Sequence, residues 1–147
     1  MKNWTMVLTL IVAGNVALAS QDAWLNEFRT TEQMCQRLTE GVTPQAQRKA
    51  NVKLDAEQCY AWFLHSQLLA EPRQQESVLK GALLVNEQRV STVVQTAIKA
   101  GMSPMQVVAL AGQAQPKYRT EIARAAIAAG VDPSLVTEAT AAGKSSE

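Results

Sequence analysis

Two four-residue segments, Gly101-Met102-Ser103-Pro104 and Gly130-Val131-Asp132-Pro133, repeat one order of residue types. Glycine suits the left-handed position just past the end of a helix, because it has no Cβ to clash. The apolar residue after it can fold back on the last helical turn. Ser or Asp then caps the next helix, and Pro opens it at the position whose N–H has no intrahelical partner. Each segment therefore specifies a helix, a tight reversal and a second helix. Gly41-Val42-Thr43-Pro44 has the same order and is expected to act in the same way. The predicted junctions are thus Gly41 and Pro44, Gly101 and Pro104, and Gly130 and Pro133.

The last two segments belong to a longer match. Ala97, Ile98, Ala100, Gly101, Pro104 and Val107 align in order with Ala126, Ile127, Ala129, Gly130, Pro133 and Val136 at one constant offset. Val93 aligns with Ile122 at the same offset, in the helix before. Around Gly41 only the turn matches. A helix-turn-helix unit of about 29 residues, given twice, buries its apolar face by stacking on its neighbour.

The rest of the chain reads as helix as well. Alternating runs of β-branched and aromatic residues, which mark strands, are absent. A first helix is expected from Asp22 to Glu40, ended by Gly41, and a short second one from Pro44 to Val52. Asp55 with Gln58 three residues on is a capping pattern for a helix that stops at Glu71-Pro72. A long helical stretch to Ala100 follows, weakened at Gly81 and broken near Asn86. Val90, Val93, Val94, Ala97 and Ile98 form its apolar stripe. Further helices are expected over Pro104–Ala111, Pro116–Ala129 and Pro133–Ala142, before a frayed tail at 144–147. The predicted fold class is all-α: a small domain of about six helices built from αα-hairpins.

Composition supplies the compartment. Lys2, an apolar run from Trp4 to Ala13, and the small residues Ala17 and Ala19 before Ser20 follow the order of a cleavable signal peptide. Cleavage between Ala19 and Ser20 leaves residues 20–147 as a single helical domain. Its part 20–72 holds both cysteines and five of the six remaining aromatic residues, and its part 73–143 is rich in Ala and Val. Cys35 and Cys59 are the only cysteines, and in an exported chain an even count reads as a disulfide. Closing that loop stabilises a small domain by roughly 3 kcal/mol. Of 14 basic and 13 acidic residues, cleavage removes Lys2 alone and leaves 13 of each sign, scattered along the chain. A nucleic-acid partner needs a basic patch, and none is visible. No stable membrane anchor remains after cleavage.

Ser103-Pro104-Met105-Gln106-Val107-Val108-Ala109-Leu110-Ala111 resembles the opening helix of the repeats in TAL effectors. The likeness covers about nine residues, the period differs and the base-reading loop of that family is missing. It implies a capped helix-turn-helix geometry and carries over no functional residue.

No motif for catalysis stands out. His65 is the only histidine, which leaves a general acid or base without a partner and a zinc site without enough ligands. Glu27 with Glu32, and Asp55 with Glu57, are carboxylates that could pair in space. Expected cofactors and metals are none, and the chain reads as a non-enzyme. Trp62 and Phe63 are adjacent on a helix and cannot share one narrow stripe. Trp62 and Tyr60 are therefore the candidate interface anchors. The leading expectation is a periplasmic or secreted protein-interaction module whose partner is another envelope or extracellular protein. The alternatives are a periplasmic inhibitor or immunity-type protein, and a carrier that holds a small apolar ligand among residues such as Val90, Val94, Ile98 and Ile122.

Overall fold

The computed structural model describes residues 16–41, 45, 46, 49 and 55–142, and the side chains of all of these except 16–20 and 138–142. Seven α-helices have both bounds among the described residues, and none of those residues is in a strand. They are α1 (Val16–Glu40), α2 (Ala56–Ala70), α3 (Gln75–Val85), α4 (Val90–Lys99), α5 (Pro104–Ala114), α6 (Arg119–Ala128) and α7 (Pro133–Ala142). One-turn 3-10 segments, Glu87–Arg89 and Pro116–Tyr118, lead into α4 and α6.

The helices stack in two layers. The odd-numbered ones pack in series, α1 on α3, α3 on α5 and α5 on α7. The even-numbered ones do the same, α2 on α4 and α4 on α6. Between the layers runs one apolar core from Phe28 to Val136.

The reversals after α4 and α6 share one backbone geometry. Gly101 has φ +96° and Gly130 has φ +95°. Met102 N–H donates to Ala97 O at 3.1 Å and Gly101 N–H to Ile98 O at 3.0 Å. Val131 N–H donates to Ala126 O at 3.1 Å and Gly130 N–H to Ile127 O at 2.9 Å. These paired bonds satisfy carbonyls that the helix end would leave without partners. Met102 and Val131 are buried, as the fold-back requires.

Helix ends recur at the spacing of these turns. α2, α4 and α6 end at Ala70, Lys99 and Ala128, and α3, α5 and α7 begin at Gln75, Pro104 and Pro133. Both series advance by the interval that separates Gly101 from Gly130. Buried apolar residues keep the same step: Leu64, Val93 and Ile122; Leu68, Ala97 and Ala126; Val78, Val107 and Val136. The register thus extends to α2–α3, where the turn Glu71-Pro72-Arg73-Gln74 contains no glycine. There Gln75 Nε2 donates to Leu68 O at 3.0 Å and satisfies a terminal carbonyl by another route.

Two polar positions tie each level to the one before it, again in step with the register. Asn86 Nδ2 donates to Glu32 Oε1 at 3.2 Å, and Gln115 Nε2 to Leu83 O at 2.8 Å. Arg89 reaches back to Glu32, and Tyr118 OH donates to Glu87 Oε2 at 3.0 Å.

Several expectations are corrected. α1 starts at Val16 rather than Asp22, so its backbone runs on through Ala19 and Ser20. Gly41 is not left-handed, and nothing lies within 4 Å of where its Cβ would be, so the position makes no demand for glycine. Residues 42–44, the expected signal peptide as far as Asn15, and 143–147 lie outside the described residues. Of the short helix expected over 44–52, residues 45, 46 and 49 are helical and the others lie outside the described residues. Ser103 makes no side-chain cap, whereas Asp132 Oδ1 accepts from Ser134 N–H at 2.8 Å and Asp55 Oδ1 from Gln58 N–H at 2.7 Å. The first three residues of the helix expected from Pro116 form the 3-10 turn instead.

Gly81 is explained by packing. A Cβ there would sit 2.9 Å from Trp24 Cβ and 3.2 Å from Trp24 C, so α1 crosses α3 at a point where only hydrogen fits. Helix propensity favours Ala over Gly by about 1 kcal/mol, but overpacking costs about 1–3 kcal/mol. Gly81→Ala is expected to lower the urea midpoint despite its better propensity. A raised midpoint would show that α1 does not press on α3 there.

Candidate interaction surface

Phase on α2 decides which aromatic side chains face out. Tyr60, Leu64 and Leu68 stand four residues apart, share the inward face and are fully buried. Trp62 lies two residues from Tyr60, about 200° around the helix, and is 74% exposed. Leu69, one heptad further along the same face, is 58% exposed. Phe63 is half-buried, with its ring edge-on to Phe28 at 5.5 Å.

Tyr60 is therefore no interface anchor. Its ring stacks at 5.7 Å from Phe28, and its hydroxyl donates to Ala82 O at 3.0 Å in α3. A buried tyrosine needs such an acceptor, and the helix phase supplies it. Of the two candidate anchors, only Trp62 is accessible.

The outward apolar face continues across the even helices. Leu69, Ile98 and Ile127 occupy one position of the repeating register. Leu69 and Ile127 are exposed and Ile98 is half-buried. On the opposite layer, Met34 and Leu38 are exposed one turn apart on α1. Val90, Val94 and Ile122, named above for a ligand cavity, are buried in the common core.

Besides the Trp24 Nε1–H bond to Gln74 Oε1 at 3.1 Å, a disulfide and a charged pair link α1 to the stack. Cys35 and Cys59 form a disulfide with Cα atoms 5.7 Å apart. Three residues before Cys35, Glu32 is 7% exposed and takes two bonds from Arg89, Nε at 2.6 Å and Nη2 at 2.9 Å. Gln36 Nε2 adds a third bond at 3.1 Å and Asn86 a fourth. The Arg89 guanidinium lies 5.3 Å from the Tyr60 ring centroid, within cation–π range. The chain distance between Glu32 and Arg89 hides this pair from sequence reading; neither charge sits in a recognisable motif.

No family model, curated protein or solved structure matches this chain.

Three of the four carboxylates singled out as acid–base candidates have structural partners. Glu32 is paired with Arg89, Asp55 caps α2, and Glu57 accepts a hydrogen bond from Thr92. Glu27 is exposed on α1, and His65 is half-buried on α2. Among the described residues no three His, Cys, Asp or Glu side chains are grouped to hold a metal ion. Among them, too, no helix is long and apolar enough to cross a membrane.

Burial alone would raise the Glu32 carboxyl, but the hydrogen bond and charge of Arg89, with Asn86 and Gln36, hold it below its ordinary value. Burial, with the charge of Glu32 adding and that of Arg89 opposing, pushes the Tyr60 phenol up. A carboxylate whose folded pKa is lowered stabilises the fold above its unfolded pKa, and that contribution fades as pH falls through the folded value. Glu32→Gln is expected to reduce stability at pH 7 by about 1.5–3 kcal/mol, the scale of a hydrogen bond to a charged group. The same substitution should flatten the loss of stability between pH 5 and pH 3 in denaturant titrations. An unchanged acid slope would assign that loss to other carboxylates.

Proposed function

We propose that this chain is an exported, non-enzymatic protein-interaction module that binds a partner in the cell envelope or outside the cell through the outer face of α2. The observation that carries the reading is Trp62, a large aromatic side chain 74% exposed on a rigid, disulfide-linked helix. Exposed Trp is unusual on a surface that meets only water, and Trp is among the residues that dominate binding energy at interfaces. Leu69 extends the apolar contact along the same helix. A stack of helical pairs offers such a face without moving its backbone.

Export is supported by the apolar leader pattern before Ser20 and by the disulfide, which persists in oxidising compartments. Cleavage before Ser20 removes only Val16–Ala19 from α1 and leaves the turns that carry Trp24, Phe28, Glu32 and Cys35. Binding in this reading has no covalent step.

Cross-linking in intact cells, comparing the natural chain with Trp62→Ala, tests the reading. The natural chain should give one dominant envelope adduct. Trp62→Ala should keep its thermal midpoint and weaken the adduct strongly, since loss of a hot-spot residue removes about 2 kcal/mol, near thirtyfold in Kd. An adduct of equal yield from a folded Trp62→Ala chain would contradict it.

A further inference from the structure

α1 is joined to the rest of the stack by a disulfide and a buried charged pair as well as by apolar packing. The repeating register runs from α2 through α7 and does not include α1. α3, the next helix of the same layer, buries Val78, Leu79, Ala82 and Leu83. α1 is longer, yet among its described side chains those buried are Phe28, Thr31, Glu32 and Cys35, and two of those four are polar. Met34 and Leu38 point away from the core. α1 packs closely along α3, with Phe28, Cys35 and the half-buried Trp24 as its apolar contribution to the core and Trp24 Nε1–H donating to Gln74 Oε1 at 3.1 Å, while the charged pair gives back in desolvation much of what it gains in attraction.

We propose that α1 is a redox-released latch, held closed by the Cys35–Cys59 disulfide and opened by thiol–disulfide exchange with a dithiol reductant. The two cysteines are not equivalent. Cys35 is fully buried, whereas Cys59 is partly exposed at the first turn of α2, so an external thiolate approaches the bond from the Cys59 side. That thiolate forms a mixed disulfide at Cys59, and the Cys35 thiolate leaves and takes a proton. The second thiol of the reductant then displaces Cys59 and is itself oxidised. The protein gains two electrons and two protons, and the dithiol becomes a disulfide.

Release has a defined consequence. Phe28 covers the rings of Tyr60 and Phe63, and Trp24 covers Gly81. Lifting α1 bares those rings on the helix that already presents Trp62, together with the side of α3 that α1 covers, while α4–α7 keep the contacts they make with one another. The latch follows from this geometry and stands whether or not α2 binds a partner.

Hydrogen exchange read by mass spectrometry on the full chain tests it, comparing oxidised protein, dithiothreitol-treated protein and a Cys35→Ser/Cys59→Ser variant. Exchange over residues 24–38 should rise at least tenfold in both disulfide-free forms. Residues 93–126 should stay within about twofold of the oxidised protein. A joint rise in both regions, including outright failure of the variant to fold, would overturn the latch by making the disulfide a global support. No change over 24–38 would overturn it by showing that α1 stays docked without the bond.

Discussion

At the ends of α4 and α6 the chain turns back through the same pair of backbone hydrogen bonds, and the two-layer stack depends on that reversal. Gly101 and Gly130 take positive φ, the amide two residues past the helix cap returns to the helix interior, and a prolyl residue starts the next helix. The geometry leaves little freedom in where the next helix lies. It delivers Val107 and Val136 to the same core position that Val78 occupies one level earlier. Apolar burial, the main favourable term in folding, is then collected along the stack rather than around a single centre.

Polar contacts add specificity to this apolar arrangement. Asn86 and Gln115 reach back to the preceding level from the same register position, and so do Arg89 and Tyr118. Gln115 is buried and its amide finds a backbone carbonyl, so slipping one level against another would strand it. At the first level the same two positions meet Glu32 of α1. The polar ties that align levels elsewhere thus converge on one carboxylate where α1 joins.

Much of this was legible in the residues. Glycine, an apolar residue, a capping side chain and proline mark both reversals, and the helix over Pro133–Ala142 has the bounds expected for it. The cysteine pair was readable from count and compartment. The extension of the register to α2–α3 was hidden, because Pro72 stands where the later turns have glycine and a side-chain bond from Gln75 replaces the backbone one. At Gly41 the first helix ends where expected, but without the left-handed backbone of the later turns. Of the candidate site, adjacency of Trp62 and Phe63 foretold an exposed aromatic. The phase that buries Tyr60 required knowing that Ala82 supplies an acceptor from another helix.

Solution NMR amide exchange at Met102 and Val131 tests the reversal most directly, since neither residue lies inside a helix. Their N–H groups are committed to Ala97 O and Ala126 O, so both should exchange as slowly as amides within α4 and α6. Exchange at the rate of an unstructured peptide at either position would mean that the turn is open, and that the stack is not held as described.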